Sequence, residues 1–274
     1  LEDLLKLSDT VFIQQGDCLE LMKKIPDKHV DMILCDLPYG TTDCKWDTII
    51  PFDALWNQYE RIIKDNGAIC LFGTNPFSSA LVMSNPKLFK YDWIWEKSTS
   101  AGFIHAKNKP MRRHEDILIF SKAPMGHISL LGEKRMKYNP QGLIPVDKVH
   151  KRPSTGAVNV IGKRNSHKKE FDVKYEGYPN TILIFKEGNN NHVHPTQKPV
   201  DLLEYLIKTY TNENEIVLDN TMGVASTGIA CVNLNRKFIG YELDEKYFEI
   251  GKNRLTAQIE THIKNNNKEV QVTQ

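Results

Sequence analysis

The four residues Asp36-Leu37-Pro38-Tyr39 carry the most specific chemistry in the chain. They follow an apolar run, Met32-Ile33-Leu34-Cys35, that reads as a short buried strand. Pro38 cannot donate to a strand ladder and Gly40 breaks one, so the strand stops here. A carboxylate, the Leu37 main-chain carbonyl and the flat face of Tyr39 therefore emerge together at a strand's C-terminal end. Open α/β sheets bind ligands at that edge. The set suits an exocyclic amino group on an aromatic base. Asp36 and the Leu37 carbonyl each accept one amino hydrogen, and Tyr39 stacks on the ring. A strand that merely ends in a turn would show the same four letters, so the rest of the chain decides.

Three further strand ends carry acids. Val11–Gln15 reads as a strand followed by Gly16-Asp17, where Asp17 either meets a ligand's donor or caps the helix that begins near Leu19. Ile216-Val217-Leu218-Asp219 is another, followed by Asn220-Thr221-Met222-Gly223-Val224-Ala225-Ser226-Thr227-Gly228 and a helix. A strand, a tight turn of small residues and a helix N-terminus make a cradle for a nucleotide or carboxylate. The loop lacks the Lys of a Walker A motif and is not G-x-G-x-x-G. Phe238–Tyr241 ends in Glu242, about twenty residues on, where an acid takes ribose hydroxyls in Rossmann-like sites. His194-Pro195-Thr196-Gln197-Lys198-Pro199 pins polar side chains between two prolines just before a helix, Val200–Tyr210. A metal is not expected: His114-Glu115 lacks a second His at helical spacing, and the five cysteines (Cys18, Cys35, Cys44, Cys70, Cys231) form no C-x-x-C pair.

The elements that must position these residues alternate strand and helix. Residues 52–64 read as an amphipathic helix with Leu55, Tyr59, Ile62 and Ile63 on one face, stopped by Asn66-Gly67. Residues 68–72, 91–95, 117–120 and 181–185 read as strands, and a last helix runs from Asp244 to about Ile263. Residues 96–115 read as a loop. The alternation implies an α/β fold, a mainly parallel sheet with helices on both faces. Hydrophobic content of 40% with 26% charged residues is ordinary for a soluble globular protein. No run approaches the roughly 20 apolar residues of a membrane span. No signal-peptide pattern opens the chain, so a cytoplasmic location without a membrane partner is expected. The net charge of +2 hides an asymmetry: residues 131–175 hold 11 Lys or Arg against four acids, which is +7 and leaves the remainder at −5. Such a block is an electrostatic footprint for nucleic acid, or else a solvated basic loop.

The ordered set of motifs resembles the DNA amino-methyltransferases that use S-adenosylmethionine, in the permuted β class where the catalytic motif precedes the cofactor loop. The resemblance covers nearly the whole chain outside the basic insert. It implies a Rossmann-like seven-stranded sheet plus a target-recognition insert. The halves would be a catalytic half (1–122), the basic insert (123–180), a cofactor-binding half (181–262) and a disordered tail (263–274). It implies that Asp36, Leu37, Pro38 and Tyr39 hold the target amino group. Asp17, with Cys18 beside it, takes the cofactor adenine, and Glu242 takes the ribose. Asp219, Asn220, Thr221, Gly223, Ala225, Ser226 and Thr227 line the methionine portion, with His194, Thr196, Gln197 and Lys198 closing the same pocket. Lys134, Arg135, Lys151, Arg152, Lys163, Arg164, Lys168 and Lys169 would meet double-stranded DNA. Two positions depart from the family. Leu37 replaces a Pro whose carbonyl is the needed group, and Thr221 and Ala225 stand where the family shows Phe and Gly. If position 225 requires φ > 0, Ala is strained there. Asp at 36 favours N6 of adenine over N4 of cytosine. The motif order argues against RNA or protein-glutamine methylation. A non-enzymatic DNA-binding protein with a degenerate cofactor loop is the remaining alternative. Members of the family often form homodimers, and no metal is implied.

Overall fold

Every residue of Val30–Cys35 is buried, and this one strand divides the core. Met32 and Leu34 face one hydrophobic cluster, while Ile33 and Cys35 face the other. A strand apolar on both faces needs cover on both. The structure, a computed structural model, describes residues 4–40, 48–126, 128–151, 170–186 and 197–272. Its strands are β1 (Leu5–Lys6), β2 (Val11–Gln15), β3 (Val30–Cys35), β4 (Ile63–Gly73), β5 (Phe89–Ala101), β6 (Arg112–Phe120), β7 (Ile144–Lys151), β8 (Glu170–Glu176), β9 (Ile182–Ile184), β10 (Ile216–Asp219) and β11 (Lys237–Glu242). Its helices are α1 (Cys18–Met22), α2 (Phe52–Ile62), α3 (Phe77–Ser84), α4 (Ile128–Leu131), α5 (Val200–Tyr210), α6 (Ser226–Asn233) and α7 (Glu245–Val272).

The main sheet has the order β1-β2-β11-β10-β3-β4-β6-β5-β9. Pairing is parallel from β2 through β4 and antiparallel at β4–β6 and β6–β5. Seven strands form its body, with the two-residue β1 and three-residue β9 as edges. Residues from α5, α6 and α7 pack on the Met32 face, and residues from α1, α2 and α3 pack on the Ile33 face. From β3 the chain crosses to β4 on one side; from β10 it crosses to β11 on the other. The gap between β3 and β10 is the topological switch point, where open sheets leave a crevice. No helix among the described residues is long and apolar enough to cross a membrane.

Four expectations change. Helix α2 ends at Ile62 rather than at Lys64, because Ile63 turns extended (φ −73°, ψ 138°) and pairs with Val30. Residues 96–115 are not one loop: β5 and β6 pair as far out as Ala101 and Arg112. The second compact unit is Pro140–Asn180, an antiparallel ribbon of β7 and β8, and residues 123–139 belong to the larger unit. There Ala123 and Met136 are core residues, and Lys137 pairs with Glu215. Helix α7 continues to Val272, through the segment expected to be a disordered tail.

Gly240 in β11 sets how closely the loop after β10 can fold back. A Cβ there would lie 2.5 Å from Met222 Sδ and 2.6 Å from Phe238 Cε1. Gly240→Ala must push both aside. It is expected to lower stability by about 1–3 kcal/mol, read from the urea midpoint.

Candidate active site

The tips of β3 and β10 lie side by side because the strands are parallel neighbours, with Val217 opposite Met32 and Leu218 opposite Ile33. Beyond the last pair they stay tied. The Cys35 thiol and the Tyr59 hydroxyl of α2 both donate to Asn220 Oδ1, at 2.9 and 2.6 Å. The Thr221 hydroxyl donates to the Asp36 carbonyl at 3.1 Å. Next to this junction is a cavity of about 370 Å³. Asp36, Leu37, Pro38 and Tyr39 line it, as do Asp17, Cys18, Gln197, Lys198, Asp219, Asn220, Thr221, Gly223, Ser226, Thr227 and Glu242. Ala225 does not: it is fully buried and faces Gly251 of α7. His194 and Thr196 lie outside the described residues.

The Asp36 carboxylate is held at both oxygens. Tyr39 Oη donates to Oδ1 at 2.6 Å, and the Lys198 ammonium donates to Oδ2. Lys198 also lies 3.3 Å from Glu115 Oε2, and Glu115 Oε1 meets Lys97. Lys198 Nζ sits 5.0 Å from the Phe72 ring centroid. Burial pushes the Lys198 ammonium toward its neutral form, but Asp36 and Glu115 outweigh this and hold its pKa above the usual lysine value. For Glu115, burial pushes the pKa up, and the ammonium groups of Lys198 and Lys97 bring it below the usual range. The row Asp36–Lys198–Glu115–Lys97 thus alternates in sign and sums to zero. Tyr39 packs one ring face on Phe77, centroids 4.8 Å apart.

On the other side, Asp17 caps α1: its Oδ1 accepts from Leu19 and Glu20 N–H at 2.8 and 3.2 Å. The cap and the cavity position are therefore one residue's two roles. Glu242 accepts from Gly223 N–H and Asp244 N–H, both at 2.8 Å, which pins the loop after β10 to the end of β11. Burial raises the Glu242 pKa. Asp219 is buried too, and its pKa is pushed up to about 7 by that burial, with Asp36 adding and the Thr227 hydroxyl and Thr221 N–H opposing. Burial also holds the Cys18 thiol protonated, up to about 11. Two buried polar atoms on the cavity wall, Asn220 Nδ2 and Gln197 Oε1, have no partner among the described residues. A donor and an acceptor left open beside carboxylates fit a ligand with an amino-acid end and a nucleoside end.

Of the basic residues, Lys134 is exposed and Arg135 half-buried in the larger unit, and Lys151 ends β7 in the smaller one. Arg152, Lys163, Arg164, Lys168 and Lys169 lie outside the described residues. The sequence reading missed Phe72, Glu115 and Tyr247. Phe72 ends an apolar strand run, β4, and that signal was available. Glu115 had none, because its partner Lys198 is far away in sequence.

Residues 30–253 match the family described as DNA methylase, N6_N4_Mtase. The Type II methyltransferase M1.MboII of Moraxella bovis is 29% identical over 252 residues, 86% of this chain and 92% of that protein. The DNA adenine methyltransferase YhdJ of Escherichia coli (strain K12) is 27% identical over 259 residues, 89% and 82%. The crystal structure of the M1.HpyAVI–SAM complex shares the fold, with a TM-score of 0.59 at 24% identity, covering 89% of this chain and 100% of that one. The chain belongs to the N6/N4 DNA methylase family. It is a DNA methyltransferase, and S-adenosylmethionine is its cofactor.

Two outcomes follow from this geometry. The folded protein holds the Asp219 proton up to about pH 7, whereas the unfolded chain releases it near 3.8. Stability is therefore lost as pH rises through that window, by at most about 4 kcal/mol, and the loss is complete above it. Asp219→Asn removes the effect, so in urea unfolding the variant gains on the wild type between pH 5 and pH 8. Ala225 has φ 62°, a left-handed conformation costing an L-residue about 1–2 kcal/mol. Ala225→Gly relieves this but loses a buried methyl worth about 0.8 kcal/mol, so its stability should match the wild type within about 1 kcal/mol. Ala225→Val, β-branched at positive φ and packed on Gly251, should cost about 2 kcal/mol or more in the same assay.

Proposed function

We propose that the enzyme transfers a methyl group to N6 of adenine in DNA. The observation that carries this reading is Asp36 at the tip of β3, opening on the same cavity as the Asp219–Thr227 loop. A carboxylate has about four acceptor positions, and Tyr39 and Lys198 use one on each oxygen. One amino hydrogen can therefore be accepted by Asp36 without displacing either partner, and the second by the Leu37 carbonyl. Two such bonds draw the nitrogen toward tetrahedral geometry and free its lone pair from the ring. Tyr39, backed by Phe77, offers its other face to the base.

For the cofactor, the open oxygen of Asp17 suits an adenine amino group, and Glu242 keeps lone pairs for ribose hydroxyls. Asp219, Asn220 and the N-terminus of α6 at Ser226 and Thr227 suit the amino-acid end. Bound S-adenosylmethionine supplies a methyl group on a positively charged sulfur. The protein's part is positioning, worth roughly 7–11 kcal/mol when the geometry is near attack. Once methylated, the amino nitrogen holds an acidic proton, and Asp36 is the acceptor in reach. The target base must leave the duplex to enter the cavity, at a cost of a few kcal/mol. The basic segment of the Pro140–Asn180 unit and its flanks offsets this through phosphate contacts.

The adenine assignment is supported by Asp at position 36 and by the relative named as a DNA adenine methyltransferase. N4 of cytosine presents the same amino geometry, and the family name spans both. The two are separated by incubating random-sequence DNA with methyl-labelled S-adenosylmethionine and resolving the digested nucleosides. Label in N6-methyldeoxyadenosine is expected; label in N4-methyldeoxycytidine would reject the adenine reading. Asp36→Ala should lower transfer by about 10²-fold or more while saturable cofactor binding persists.

A further inference from the structure

We propose that the tip of the β5–β6 hairpin is a wedge that enters the DNA duplex beside the extruded base. This rests on the methyltransferase reading and adds a contact surface to it. The hairpin leaves the core at Trp95, which is buried and pairs with Glu115. Strand pairing reaches Glu96 and His114, and beyond an irregularity in β5 it resumes at Ala101 and Arg112. At the turn Gly102 takes φ 91°, and Phe103–His105 form one 3-10 turn. Phe103 is 82% exposed and Ile104 86%.

One exposed apolar side chain is ordinary. Two in succession at the end of a protruding hairpin forgo burial that the fold could have used. The surrounding charge says what they meet. Residues 97–114 contain Lys97, Lys107, Lys109, Arg112 and Arg113, with His105 and His114, and no Asp or Glu. Lys97 is tied to Glu115, and Arg113 lies 3.1 Å from Glu96. Lys107 and Lys109 make no ion pair among the described residues. Cations along the arms with an apolar apex match a duplex, whose phosphates take the lysines while its base stack takes the wedge. A second copy of the chain fits poorly. A two-fold interface sets a patch against itself, and here it would bring the cationic arms of two copies together.

The hairpin is also continuous with the site. Glu115 at its base contacts Lys198, which holds Asp36. Arg112 lies three residues further out on the same strand, about 10 Å at ordinary strand rise. That is about three base-pair steps along a duplex. A base drawn into the Asp36 cavity leaves a gap in the stack, and Phe103 with Ile104 fills it.

The test compares the full-length wild type with Phe103→Ser/Ile104→Ser and with Lys107→Ala/Lys109→Ala. Each is titrated with a fluorescein-labelled random-sequence duplex between about 50 and 200 mM salt, with S-adenosylmethionine present. The apolar double variant should bind about tenfold more weakly or worse with its salt slope unchanged. The lysine double variant should flatten the slope by about 2. Wild-type affinity in both variants would remove the hairpin from the DNA. An effect of the lysines alone would overturn the wedge. A fall in sedimenting mass in the apolar variant would make the tip a contact between copies and overturn the proposal. Cofactor titration separates the two levels. A wild type with no saturable S-adenosylmethionine binding defeats the methyltransferase reading itself; normal binding in all three proteins confines any failure to the hairpin.

Discussion

The site depends on β3 and β10 being parallel neighbours. Parallel pairing puts both C-terminal ends on one edge of the sheet, so Asp36 and Asp219 emerge together although they are far apart in sequence. Asn220 then works as a knot: its side-chain Oδ1 accepts from the Tyr59 hydroxyl and the Cys35 thiol, joining α2, β3 and the end of β10 at one atom. Met222 N–H donates to the Tyr241 carbonyl at 2.8 Å and so ties in β11. The cavity is what remains between ends that cannot separate.

Charge is the second constraint. Placing Asp36, Glu115 and Asp219 near one another at low exposure is costly unless cations answer them. Lys198 answers two of the three, and Lys97 completes the row. Among the described residues no cation pairs with Asp219, and burial pushes its pKa up to about 7. The backbone carries a further cost at Ala225, where the left-handed turn lets α6 start against α7. Functional sites often store strain of this size, with the surrounding packing holding it in place. The Arg254 guanidinium, which donates to the Val224 carbonyl beside that turn, is part of what holds it.

Much of this was legible in the sequence, for a local reason. Asp36, Asp219 and Glu242 each end an apolar run, and such runs mark strands that are buried on both faces. Their convergence follows from how alternating strands and helices wind. What was hidden lacked an apolar period. The outer arms of β5 and β6 leave the core, so Lys97-Ser98-Thr99-Ser100 carries no strand signal. In α7 the run Lys264-Asn265-Asn266-Asn267 is polar throughout and looked unstructured for the same reason. Helix α2 ends early because Ile63 is needed by Val30, a tertiary demand that the Asn66-Gly67 stop does not reveal. The Lys198–Asp36 pair spans 162 residues, and only the fold brings it together.

The most direct measurement is a crystal structure of this chain with S-adenosylmethionine bound. The account predicts the cofactor in the cavity between Asp17, Glu242 and the Asp219–Thr227 loop, with its methyl group turned toward Asp36. A cofactor bound elsewhere, or one whose methyl is walled off from Asp36 by the Lys198 side chain, would contradict it.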